Sequence, residues 1–190
     1  MSSLMVHLLA AKKYKTDPSV LFCVGNVAPD CVQEWKAKDR THLRDREDRE
    51  EALAALARST DMSNDFLHGN ILHLYLDWIW DRDFLVPYKK NYTGENWFID
   101  YRNEISKASS WLFHHKTWSA DVWNSMLECP AEQYDLNPMF PCEDILGMMT
   151  RNGKWHRDNI LEASQAFPPD TVEAFTDEIA SGFPKWIRQI

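Results

Sequence analysis

A histidine and an aspartate four residues apart, in His73-Leu74-Tyr75-Leu76-Asp77, share one face of a helix and can grip one cation between them. Upstream, Asp30 closes the string Gly25-Asn26-Val27-Ala28-Pro29-Asp30, His42 follows Thr41, and His7 sits among Val6, Leu8 and Leu9. Neutral imidazoles and carboxylates suit Zn²⁺ or a similar divalent ion. His7 and His73 lie in apolar runs, and a polar group on a buried apolar face must be paired; a shared cation satisfies several at once. Asp30, His42, His73 and Asp77 are therefore expected to hold an ion, with Asp30 and Asp77 as the acids of its chemistry. His7 can complete a second metal position, with Asp77 bridging. Metal coordination brings the pKa of water towards about 7, so hydroxide forms without a Ser or Cys nucleophile, and an open position accepts a phosphoryl oxygen. Arg40 and Arg44 flank His42 and can meet a substrate phosphate. Each element alone has a plainer reading: a helix hydrogen bond for His73 and Asp77, a packed core histidine for His7, a helix cap for Asp30. Convergence in space is what separates the two readings.

Helices must do the positioning. Ser2 and Ser3 can cap a first helix through Leu4, His7, Leu8 and Ala11, broken at Pro18. Val20–Val24 is a short buried run before the Gly25–Asp30 turn, and residues 47–58 are strong helix formers. A central helix is expected over about 64–84, ended by Pro87, and another over 95–115. Shorter helical patterns follow over 119–128 and 143–164, with a weak point at Asn152-Gly153. Asp170-Thr171-Val172-Glu173 reads as a capping box opening a last helix that Gly182 stops. No strand stands out, so the class expected is all-α, in one domain spanning 1–190.

The string from His7 through Gly25–Asp30 and Thr41-His42 to Gly69-x-x-x-His73-x-x-x-Asp77 resembles the zinc-dependent phospholipase C family, relatives of the S1/P1-type nucleases. The likeness covers residues 4–81. It implies an all-helical bundle in which counterparts of Asp30, His42 and His73 share one metal, Asp77 bridges and His7 serves a neighbouring ion. It also implies a phosphoester or phospholipid-like substrate. Members carry another His soon after the bridging acid; here Trp80, Asp81 and Asp83 follow and the next histidine is His114. One or two zinc ions are therefore expected.

With 190 residues, nine Trp and nine Phe, the chain can bury a full core, and its net charge of −8 opposes a nucleic-acid scaffold role. The absence of CxxC pairs, of a secretory segment and of a long apolar run leads to the expectation of a cytoplasmic protein with no transmembrane segment. Asp81, one turn beyond Asp77, can be a supporting acid or an extra ligand, with a solvated helix acid the plainer reading. Asp100 and Glu104 can supply a ligand from a facing helix, with an exposed acidic stripe the plainer reading; His156 reads as peripheral. A metal-dependent phosphoester hydrolase is the reading favoured by these residues. The alternative is a non-catalytic helical protein retaining a structural metal, since four protein ligands would close a tetrahedral zinc shell.

Overall fold

The computed structural model describes residues 2–190, and no strand occurs among them. The chain runs α1 (Leu4–Tyr14), α2 (Val20–Val27), a 3-10 turn (Ala28–Cys31), α3 (Trp35–Thr41), α4 (Arg49–Ser59) and α5 (Asp65–Trp80). A π turn (Asp81–Leu85) leads into α6 (Val86–Asn91), and α7 (Trp97–His115), α8 (Ser119–Glu128), α9 (Cys142–Asp158) and α10 (Pro169–Ile187) complete the all-α bundle. Every residue of α1 from Leu4 to Ala11 is buried. A helix apolar all round belongs at the centre of a bundle, and α1 packs against α2, α5, α7 and α10. Trp80 and Trp123 are fully buried, while Trp78, Trp97 and Trp111 pack partly buried against the same core.

Several local expectations give way to tertiary packing. Gly25 does not begin a turn but lies inside α2, which runs on to Val27. Pro87 does not end the central helix: the π turn widens the backbone ahead of it, so α6 continues with Pro87 in its first turn. Gly153 does not weaken α9, because the Trp123 indole fills the space a side chain would need; a Cβ there would lie 2.2 Å from Nε1. That helix stops at Asp158, short of the expected 164.

The capping box is absent as well. Pro169 opens α10 without a side-chain cap, and Glu173 turns instead to Lys13 and Lys116. Gly182 and Pro184 both lie inside α10, which persists because Phe183 and Trp186 bury themselves against Tyr75. No helix among the described residues is long and apolar enough to cross a membrane.

Candidate metal centre

The centre is built on the crossing of α2 and α5. Asn26 Nδ2 donates to the Gly69 carbonyl (3.2 Å) and Asn70 Nδ2 to the Gly25 carbonyl (2.7 Å), a reciprocal clasp between two Gly-Asn pairs. The backbones touch: a Cβ on Gly25 would sit 2.0 Å from the Phe66 carbonyl oxygen, and one on Gly69 2.4 Å from that of Phe22. One turn beyond Gly69, His73 donates Nδ1–H to the Asn26 carbonyl at 2.8 Å. Asp77 follows on the next turn, and Asp30 comes off the end of α2 in the 3-10 turn. Asp30 does not cap α3; Glu34 does, accepting from the Lys36 and Ala37 amides.

His42 is delivered by a tight helix end. The Arg44 amide donates to the Asp39 carbonyl and the Leu43 amide to that of Arg40, the paired bonds of a Schellman motif. Leu43 occupies the left-handed position usually held by glycine, with φ +57°, a conformation that costs a side-chain-bearing residue about 1–3 kcal/mol. This turn sends His42 inward, fully buried, and lets Arg44 reach Asp77. The His42 Nδ1–H donates to the Lys38 carbonyl at 2.9 Å.

Carbonyl oxygens only accept hydrogen bonds, so the Nδ1 atoms of His42 and His73 both carry the proton and both Nε2 atoms present bare lone pairs. Those two Nε2 atoms face each other at 3.1 Å. Asp30 Oδ1 lies 3.6 Å from His42 Nε2, and Asp77 Oδ2 lies 3.6 Å from His42 Nε2 and 3.9 Å from His73 Nε2. Ligands at 2.0–2.1 Å around a tetrahedral ion stand about 3.3 Å apart, close to this spacing. Burial holds the pKa of both histidines below the ordinary value, that of His73 well below, which favours the neutral, metal-binding form of each ring. The donors fit a divalent ion.

His7 joins from α1, its ring stacked on His73 with centroids 3.8 Å apart. Its Nε2 meets the Ser2 hydroxyl at 2.8 Å and its buried Nδ1 has no partner. Ser2 in turn donates its amide to Asp77 Oδ1 at 3.1 Å. Two donor triads result, His7–Asp30–His73 and His42–His73–Asp77. Both need His73, whose Nδ1 is committed to Asn26. A single free nitrogen serves one ion, so the triads are alternatives and a single ion fits better than two.

Acids and bases balance around these donors. Lys38 Nζ lies 2.6 Å from Asp30 Oδ1, and Arg44 lies 2.9 Å from Asp77 and 2.7 Å from Asp81. Arg49 completes the network 2.8 Å from Asp81. Although burial pushes the carboxyl pKa upward, Lys38 and His42 keep that of Asp30 well below the usual range. Burial likewise opposes ionisation of Asp77, yet its bond to His7 and the Arg44 charge hold its pKa well below that range. Among the side chains of the described residues, three carboxylates thus stand against three cations, and a divalent ion would add two positive charges to that set.

The remaining candidates separate cleanly. Arg44 is a carboxylate clamp, and Arg40 is exposed on α3. His156 is buried, not peripheral, and Glu104 anchors the loop after α9 by accepting from Ser164 and from the Gln165 and Ala166 amides. Burial pushes the Cys23 and Cys31 thiols up to about 12, as inert core groups. Lys38 and Arg49 were not singled out by spacing, Ser2 was read only as a helix cap, and Asp81 is a buried partner of Arg44 and Arg49, not the solvated acid of the plainer reading; the repeated Gly-Asn pair was the one readable clue to the crossing. Compared with protein-family models, curated proteins and solved structures, the chain matches none.

Proposed function

We propose that this protein binds one divalent cation, zinc by ligand type, through His42, His73, Asp77 and Asp30, and hydrolyses a phosphoester there. The observation that carries the reading is the pair of bare Nε2 lone pairs at 3.1 Å, flanked by carboxylate oxygens and buried from water. A divalent ion held by these four residues would supply Lewis-acid chemistry, lowering the pKa of a water and polarising a phosphoryl oxygen. The chain's own groups do the rest. The Asn26 and Lys38 carbonyls fix the two imidazole tautomers, Arg44 orients Asp77, and the two positive charges that a divalent ion adds favour an anionic substrate. The resemblance to zinc-dependent phospholipases C, on an all-α scaffold, supports the same chemistry, and family membership remains part of the proposal.

A structural metal is the second reading, favoured by the four protein donors, which can close a tetrahedral shell. Elemental analysis of zinc-dialysed protein, with turnover of p-nitrophenyl phosphate and bis-p-nitrophenyl phosphate, tests both. One zinc per chain with chelator-sensitive turnover is expected. Zinc without turnover selects the structural reading, and no zinc overturns both.

A further inference from the structure

A cavity of about 330 Å³ opens beside the centre, with Asp30 and Lys38 on one wall and residues of α7 and α9 on the other. We propose that it binds a small, polar phosphate monoester, with Lys38 and Arg102 receiving the phosphate and the polar wall receiving a hydroxyl-bearing leaving group. This rests on the phosphoester reading above and narrows its substrate class.

Three observations carry it. Lys38 both touches a candidate ligand, at 2.6 Å from Asp30 Oδ1, and brings a cation to the cavity from the same side. Arg102 brings a second cation from α7. A phosphate monoester dianion also matches the two positive charges that a divalent ion would add.

The opposite wall sets the rest of the ligand. Ser106 and Asn152 offer a hydroxyl and an amide. Ser109 donates its hydroxyl proton to His156 Nε2 at 2.8 Å, because His156 Nδ1–H is held by the Asn152 carbonyl, which leaves the Ser109 oxygen as an acceptor. A volume near the low end of the ordinary range for ligand sites, with walls of this polarity, suits a few-carbon polyol phosphate and gives no room for two acyl chains. The cavity therefore departs from the phospholipid that the sequence resemblance implies.

Glycerol 3-phosphate is the probe, titrated calorimetrically into zinc-dialysed wild type, Lys38→Met, Arg102→Met and the exposed control Lys36→Ala, with zinc content and thermal midpoint measured for each. Binding to wild type is expected to weaken at least tenfold in Lys38→Met and about fivefold in Arg102→Met, and to hold in Lys36→Ala, on the scale of a lost charge-assisted hydrogen bond. Arg102→Met changes α7, which carries none of the donors, and keeps the test decisive if Lys38→Met disturbs Asp30. Absent binding to wild type, or unchanged binding in both cavity variants, overturns the proposal. Equal competition by dihexanoylphosphatidylcholine overturns the substrate class. Failure of wild type to take up zinc overturns the metal reading, and the same titrations in the absence of metal then judge the cavity by itself.

Discussion

Buried histidines occur at two places in this molecule, and they are built in opposite ways. In the α7–α9 region, His156 has both ring nitrogens occupied, Nδ1 by the Asn152 carbonyl and Nε2 by the Ser109 hydroxyl. Its bonds tie two helices together and leave nothing for a ligand to take. In the α2–α5 region, His42 and His73 have one nitrogen each fixed by a carbonyl, and the other two point at one another among carboxylate oxygens. Burial alone therefore does not mark a site. What marks it is unpaired acceptor capacity converging on one point from several elements, an arrangement costly to keep unless a cation completes it.

Four measurements press on this contrast. The largest effect belongs to the metal: His73→Ala or His42→Ala should lower zinc affinity by at least about 100-fold, whereas His156→Ala should leave one zinc per chain. Dialysis against a zinc buffer followed by elemental analysis reads both, and equal retention in all three variants would erase the distinction between the regions. Next comes stability. His156→Ala removes a packed ring and strands the Ser109 hydroxyl, for a loss of about 3 kcal/mol by urea unfolding.

The pH dependence of stability follows. Burial pushes the pKa of His156 down to about 4 from 6.5, so the unfolded chain binds the proton more readily. The associated stability is fully present above pH 6.5, declines as pH falls and is gone below about 4. His156→Ala should flatten that decline by up to roughly 3 kcal/mol, judged from unfolding curves across the window. An unaltered pH profile would mean that the buried ring is not protonated on unfolding. The smallest effect is expected from Asp81→Asn, which weakens the clamp that holds Arg44 against Asp77. Zinc affinity should fall about tenfold with the donor set itself intact.

Much of this was readable along the chain, for identifiable reasons. His7, Asp30, His42, His73 and Asp77 were expected near one another, and the structure gathers all five; helical spacing and apolar flanks carry that information locally. The helical class followed from the same periodicity. The cations were not readable, because Lys38 and Arg49 look like any surface base until α3 and α4 fold back onto α5. His156 is not peripheral for a related reason: beside Asn152, four residues away, its partners are Ser109, Phe113 and Trp123, all distant along the chain. The helix ends failed where contacts outweighed local propensity, as at Pro87 and Gly182, whose breaking tendency is overcome by a widened turn or by buried aromatics.

The glycine crossing has a mechanical consequence. With α2 and α5 in backbone contact and clasped by Asn26 and Asn70, the ligand-bearing side of the centre works as a fixed jaw, since neither helix can slide without a steric clash. The facing wall, from α7 and α9, meets that jaw across the cavity, and the glycines of α9 face side chains and not another helix's backbone. Adjustment to a larger or differently shaped guest therefore falls to the side chains of that facing wall. Substitutions that retune the cavity should accumulate at Ser106, Asn152 and Trp155, while the placement of the His and Asp donors stays as the two glycines set it.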